Sequence, residues 1–324
     1  MGLLRDKLND LLGHLDGLPM PAKIGIAVVI VIISIYSQKI YTAQSSKVAE
    51  DYSAGLRREM SLTSSTALNN LDKKDDRVIH PINFTEFTVS DVTKVSHNTK
   101  LIRFAIPNNK SLGLTIGRHI SVKAMISGIK VLRSYTPTSL PNQLGYFELL
   151  IKIYADGKMS QYIDGLKKGD KLEVRGPIGR FKYDINSYKR IGLIAGGTGL
   201  TPCLQIIRCI LQGQEYSTDL TTFCLFFQNR TEHDILLKLE LDALQTQFSK
   251  RLEIHYFVSN ASQAFGKVNQ FEHKGYISTG DIKGKFDRTI CDFVGLCGPS
   301  GFNENMIKLL KEVGHEVDDT LYVW

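Results

Sequence analysis

This chain has no Cys-x-x-Cys pair, no lysine- or arginine-rich arm, and no uncharged apolar run of the ~20 residues that cross a bilayer as a helix. Its five cysteines, Cys203, Cys209, Cys224, Cys291 and Cys297, are odd in number and irregularly spaced. A disulfide framework and a zinc site are therefore not expected, and a reducing compartment is. Without a basic arm, nucleic acid is not an expected partner, although the 324 residues carry a net charge of +7. From His80 onward there are 30 basic and 24 acidic residues, so most of that excess belongs to the later part of the chain. It suits a phosphate-bearing ligand, an anionic membrane or an acidic protein. The eight histidines are scattered, and no Ser-His-Asp set or metal-ligand cluster stands out, so no metal is expected.

What is present reads as globular: 43% hydrophobic and 23% charged residues, enough chain for two domains and a tail. The longest uncharged apolar stretch, IGIAVVIVIISIYSQ (residues 24–38), has a strongly apolar part of about 13 residues. A short membrane anchor is the expected reading, since residues 38–76 beyond it are polar and aperiodic, as a tether is. A buried core strand is the alternative. A signal peptide is disfavoured by Asp6, Asp10 and Asp16 and by the lack of a cleavage site. Ahead of the run, Leu4, Leu8, Leu11, Leu12 and Leu15 recur at helical spacing, which suits an interfacial amphipathic helix. The division is then an amphipathic segment and anchor helix over 1–40, a linker over 41–79, a first domain over 80–187 and a second over 188–324.

Between Phe84 and Tyr183 six short alternating segments are punctuated by glycine and proline, which predicts an antiparallel Greek-key β-barrel. Two motifs stand on its strand ends. RSYTPTS (133–139) sets the planar, permanently charged fork of Arg133 beside Tyr135 and Thr136, a combination that suits a diphosphate as well as a polar turn. GKMSQYI (157–163) has a glycine entering a short helix whose first-turn N–H groups and Ser160 hydroxyl suit an anion; a plain helix cap is the other reading.

From Lys189 strands and helices alternate, which predicts a doubly wound parallel α/β sheet with its ligand at the carboxyl ends of the strands. GGTGLTP (196–202) joins an apolar strand to a helix, its glycines allowing close approach of a diphosphate and Pro202 suiting the first helical turn. LCGPSGF (296–302) places Cys297 at another strand end, where a small core residue is the plain alternative.

Arg-x-Tyr-Thr, Gly-Lys-x-Ser, GDKLEVRGPIG, the glycine loop and Cys-Gly-Pro, in this order, resemble the ferredoxin-reductase superfamily. Within it the match is to the NADH-cytochrome b5 reductases, fungal ones in particular, over Phe84 to Trp324. The resemblance implies FAD in the first domain, NADH in the second and cytochrome b5 or a similar acidic haem protein as acceptor. It carries cofactor-binding roles onto Arg133, Ser134, Tyr135, Thr136, Leu150, Lys152, Gly157, Lys158, Met159 and Ser160. In the second domain it does so for Gly196, Gly197, Thr198, Gly199, Thr201, Pro202, Ser259, Cys297, Gly298 and Pro299. Thr136, Lys152 and Cys297 are implied to lie closest to the reacting rings. Members preferring NADH carry an acidic residue after the strand that here reads IHYFVS; Ser259 and Asn260 stand there, so NADPH use is also expected. Many relatives have methionine three residues after the Cys-Gly-Pro proline, where Phe302 stands here, so the packing around the nicotinamide is expected to differ. Trp324 either covers a cofactor or packs. The alternatives to a cytochrome b5 reductase are a flavoreductase with another acceptor and a membrane-tethered scaffold without turnover. The anchor and the cytosolic chemistry together place the chain at the endoplasmic reticulum or the mitochondrial outer membrane.

Overall fold

The computed structural model describes residues 78–266 and 271–324. The amphipathic segment, the anchor at 24–38 with its lipid partner, and all of the linker but Val78 and Ile79 lie outside these residues. Among the described residues no helix is long and apolar enough to cross a membrane.

In the first domain the period-two pattern builds β1 (Thr85–Ser96), β2 (Thr99–Ala105), β3 (His119–Ile126), β4 (Ile129–Tyr135), β5 (Tyr146–Lys152) and β6 (Lys171–Ile178). They form one antiparallel sheet in the order β4-β3-β6-β1-β2-β5, with β6 inserted between β1 and β3. Alternate side chains from all six strands meet in one core, among them Phe87, Ile102, Val122, Val131, Phe147 and Val174. Edge strands that bury residues in a common core require a curled sheet. The edges β4 and β5 approach just past β4, where the Thr138 N–H donates to the Glu148 carbonyl at 3.0 Å. Ile79 already lies in this core. Helix α1 (Lys158–Asp164) closes one end by burying Met159 and Ile163.

The second domain has a parallel sheet of β7 (Arg190–Gly196), β8 (Thr222–Asn229), β9 (Leu252–Val258), β10 (Glu272–Lys274), β11 (Phe293–Cys297) and β12 (Leu321–Val323). The order is β10-β9-β8-β7-β11-β12. The central strands are nearly continuous apolar runs because both faces are covered. Helices α2 (Leu200–Gln212) and α3 (Lys238–Gln247) lie over one face. Helices α4 (Thr279–Phe286) and α5 (Ser300–Glu312) cover the other. The apolar pattern from Asp234 predicts an uninterrupted helix to Phe248, but α3 begins only at Lys238. A capping box between Thr231 and Asp234 closes a separate 3-10 turn, and Leu237 then takes a left-handed φ of 54°. Strands β10 and β12 have three residues each, too few to show a period.

The two domains are packed together along a seam. Ile116, Leu150 and Phe181 of the first belong to the apolar cluster under α2. Buried Gln205 of α2 accepts from the Gly117 N–H at 2.8 Å and donates to the Arg118 carbonyl at 3.2 Å. Arg208, one turn further along α2, donates to the Thr138 carbonyl and pairs with Glu240. Lys152, the last residue of β5, pairs with Asp234 at 2.8 Å.

Candidate active site

The chain leaves β7 for β8, β9 and β10 on one side, then returns to β11 on the other. The loops after β7 and β11 therefore diverge at the carboxyl edge, where doubly wound sheets bind their ligands. Those loops are GGTG (196–199) and Cys-Gly-Pro (297–299). They touch: a side chain on Gly199 would overlap the Cys297 carbonyl. Gly197 has a φ of +54°, and nothing lies within 4 Å of where its Cβ would be. The loop thus turns an unobstructed backbone surface outward. Thr198 is half-buried, and the Thr201 hydroxyl donates back to its carbonyl at 3.2 Å, bracing the turn rather than pointing out of it. Pro202 is the third residue of α2, where no intrahelical N–H is needed.

Cys297 ends β11 opposite Ala195 and is half-buried. Burial pushes its thiol up to about 12, so the sulfur is neutral at physiological pH. Gly298 is half-buried and Pro299 exposed. The Phe302 ring lies against both Gly196 and Gly298 and so fills the space between the two loops. Met306 is buried in the core beneath, away from the crevice surface.

In the first domain Arg133 and Ser134 are exposed near the end of β4, with the Arg133 guanidinium donating to the Leu132 carbonyl at 2.7 Å. Tyr135 is partly buried. Its phenol is pushed up to about 12 by burial, with Arg133 opposing and Tyr154 adding to the shift. Tyr154 stands just before Gly157 of the second barrel motif. Helix α1 also packs against β4 and β5. Thr136 is buried, and the hydroxyl of buried Thr138 two residues on has no hydrogen-bond partner. Gly157 caps α1, and a Cβ there would strike the Ser160 hydroxyl. That hydroxyl donates to the Gly157 carbonyl at 2.9 Å and accepts from the Tyr154 N–H at 3.1 Å. Ser160 therefore shapes the turn, while Lys158 is exposed on the first turn and Met159 anchors it below. Leu150 is buried in the seam.

The sites of the two domains converge at β5, which lies against the Gly197–Gly199 turn. Lys152, the last residue of β5, reaches the carboxyl edge of the sheet through its pairing with Asp234 in the loop after β8. Ser259 follows β9 at the same edge, its N–H donating to the Asn229 carbonyl at 3.1 Å. The adjoining loops also contribute exposed Arg230, and Glu232, which accepts from the Ser262 N–H at 2.6 Å. No sequence motif points to Gln205, to Asp234 or to Trp324 as a seam residue. Of these only Asp234 left a local signal, the Thr-x-x-Asp spacing of a capping box. Away from the crevice, Cys224, Glu253 and His255 offer ligand atoms within 4.8 Å of one another. Glu253 is already engaged there by Lys285 at 2.5 Å and His255 at 2.8 Å.

Residues 86–183 match the family model described as oxidoreductase FAD-binding domain, and residues 193–308 the one described as oxidoreductase NAD-binding domain. The chain is 39% identical over 271 residues to NADH-cytochrome b5 reductase 1 of Dictyostelium discoideum, covering 81% of this chain and 91% of that protein. It is 41% identical over 245 residues to the protein of the same name from Candida albicans, covering 75% and 81%. Among solved structures, the cytochrome b5 reductase domain of Ulva prolifera nitrate reductase superposes with a TM-score of 0.70 at 32% identity, over 76% of this chain and all of that one. With the crevice, the two barrel motifs and these likenesses in the same order along the sequence, the chain belongs to the NADH-cytochrome b5 reductase family.

Proposed function

We propose that this chain is an FAD-dependent reductase that takes electrons from NADH and passes them singly to cytochrome b5. The observation that carries this reading is the contact of β5 with the Gly197–Gly199 turn, which joins the barrel motifs to the switch-point crevice. The residues present fit FAD. An exposed Arg133 fork, a helix start at Gly157 and the unpartnered, buried Thr138 hydroxyl lie on adjoining elements. Bound there, FAD supplies hydride acceptance and one-electron release, chemistry that no side chain provides.

The rest is done by this chain's own groups. Arg133 offers a bidentate donor set to a diphosphate, and the first-turn N–H groups of α1 add donors to it. Tyr135, neutral across the physiological range, gives a hydroxyl hydrogen bond and a ring face. Gly197 admits the coenzyme diphosphate against the backbone, and Cys297 presents a neutral, polarizable sulfur to the nicotinamide end. Hydride transfer needs alignment and exclusion of water more than acid–base help, so packed loops suit it.

Residues 24–38 tether the enzyme to a membrane, the endoplasmic reticulum or the mitochondrial outer membrane, with the folded domains in the cytosol. The uncharged run and the polar stretch after it support this part.

The test uses the full chain, purified in detergent with FAD. It should have a flavin spectrum, be bleached anaerobically by NADH and then reduce cytochrome b5. Folded protein that takes up no FAD overturns the reading; a bleached flavin that leaves cytochrome b5 oxidised moves the acceptor elsewhere.

A further inference from the structure

The Lys152–Asp234 pair joins a barrel strand to the loop after β8, and both side chains are largely shielded, at 16% and 14% exposure. A lysine at the end of a strand is a point charge on a flexible four-carbon stem. The carboxylate facing it is not flexible. Its second oxygen accepts from the Thr231 hydroxyl at 2.7 Å and the Thr231 N–H at 3.2 Å, closing the cap of the 3-10 turn Glu232–Asp234. Rotating Asp234 away from Lys152 means opening that cap. Partial burial raises the Asp234 carboxyl, but the hydrogen bonds from Lys152 and Thr231 outweigh it and hold the group below its usual range. The sheet domain thus holds a fixed anion against the barrel. Lys152 in turn ends β5, the strand that lies against the Gly197–Gly199 turn, and its pairing with Asp234 sets it at the loop after β8 on the carboxyl edge of the sheet.

We propose that Asp234 is a positioning residue: by clamping the Lys152 ammonium across the seam, it holds that charge at the crevice that receives the anionic coenzyme. The assignment rests on the reductase reading above. Asp234 acts on the coenzyme only through Lys152.

The experiment compares full-chain holoprotein carrying Asp234→Asn, Lys152→Met, both together, and Thr231→Ala. The Kd for NAD+ is read by titration calorimetry, and the rate of flavin bleaching by NADH in a stopped-flow instrument. Asp234→Asn is isosteric and keeps a cap acceptor. It should weaken NAD+ binding and slow bleaching by about 10-fold each, the scale of a charge-assisted bond. Lys152→Met should do the same, and the double variant should be no more than about 3-fold worse than either single one, because the two act as one unit. Thr231→Ala removes the shorter of the two hydrogen bonds that fix the carboxylate, so it should lower the melting temperature and shift both readouts in the same direction as Asp234→Asn but by less. The proposal is overturned if Asp234→Asn matches wild type or if the two singles multiply. Should Asp234→Asn fail to fold, Asp234→Ser, which keeps a smaller cap acceptor, is held to the same values. A wild type that is not bleached by NADH takes down the reductase reading and the proposal together; a bleached wild type with a normal Asp234→Asn takes down the proposal alone.

Discussion

The indole N–H of Trp324 donates to the carbonyl of Gly117 at 3.0 Å, fastening the sheet domain to a loop of the barrel. The same glycine's N–H is held by Gln205, so both backbone polar groups of Gly117 are spent on the seam. The Trp324 ring also covers Gly295 and lies 5.7 Å from the Phe181 ring and 4.9 Å from that of Tyr322. These contacts make Trp324 part of the seam.

Trp324→Phe should keep most of that packing and lose the hydrogen bond, destabilising the chain by about 1 kcal/mol. Trp324→Ala should cost about 3 kcal/mol through the cavity it leaves. Urea unfolding of the holoprotein measures both.

Gly117 combines a φ of +70° with a position where a Cβ would overlap the Phe181 ring. Gly117→Ala should therefore destabilise by about 2–4 kcal/mol, from left-handed strain and overpacking together. Thermal unfolding should register this as a clear drop in Tm.

Gly199→Ala drives a methyl into the Cys297 carbonyl and separates the two loops of the crevice. Coenzyme KM should rise by about 10-fold or more, since ångström-scale misplacement of reacting groups is that costly. The flavin should still be bound, because the Arg133 and Gly157 motifs stand on β4 and α1, and neither is part of this turn. Steady-state kinetics with ferricyanide as acceptor separate the two.

Histidines 119, 255, 273 and 315 all have pKa values lowered chiefly by burial. The unfolded chain then binds protons more readily than the folded one as pH falls through the ordinary histidine value of about 6.5. Stability present above that pH is therefore lost below it. Melting temperature should be level from pH 8 to 7 and fall from 7 to 5. By contrast the Cys297 thiol, raised to about 12, should add no titration to the rate of flavin reduction between pH 6 and 9.

Ser259 and Asn260, which follow β9 at the carboxyl edge of the sheet, carry no charge, and exposed Arg230 stands in the adjoining loop. NADPH should reach a kcat/KM within about 100-fold of that for NADH, and Ser259→Asp should widen the gap by about 10-fold through repulsion of the 2′-phosphate, the scale of a single charge pair. A measured preference for NADH far beyond that range means another group, such as Glu232, sets the discrimination.

The alternation in HISVKAMI, the unbroken apolar run of RIGLIA and the glycine loop after it were enough to specify an antiparallel sheet followed by a parallel one. Local spacing alone sets which side chains share a face and where the backbone must bend. Arg133, Gly157, Gly197 and Cys297 could be singled out as candidates for the same reason: each stands in a short motif whose chemistry is local. Gln205, Asp234 and the Trp324–Gly117 bond were not. Their partners lie 88, 82 and 207 residues away in sequence, and no window of sequence contains both ends. Only packing of the two domains decided that an unremarkable glutamine holds a loop, that a capping aspartate faces a lysine from another sheet, and that the crevice forms at all.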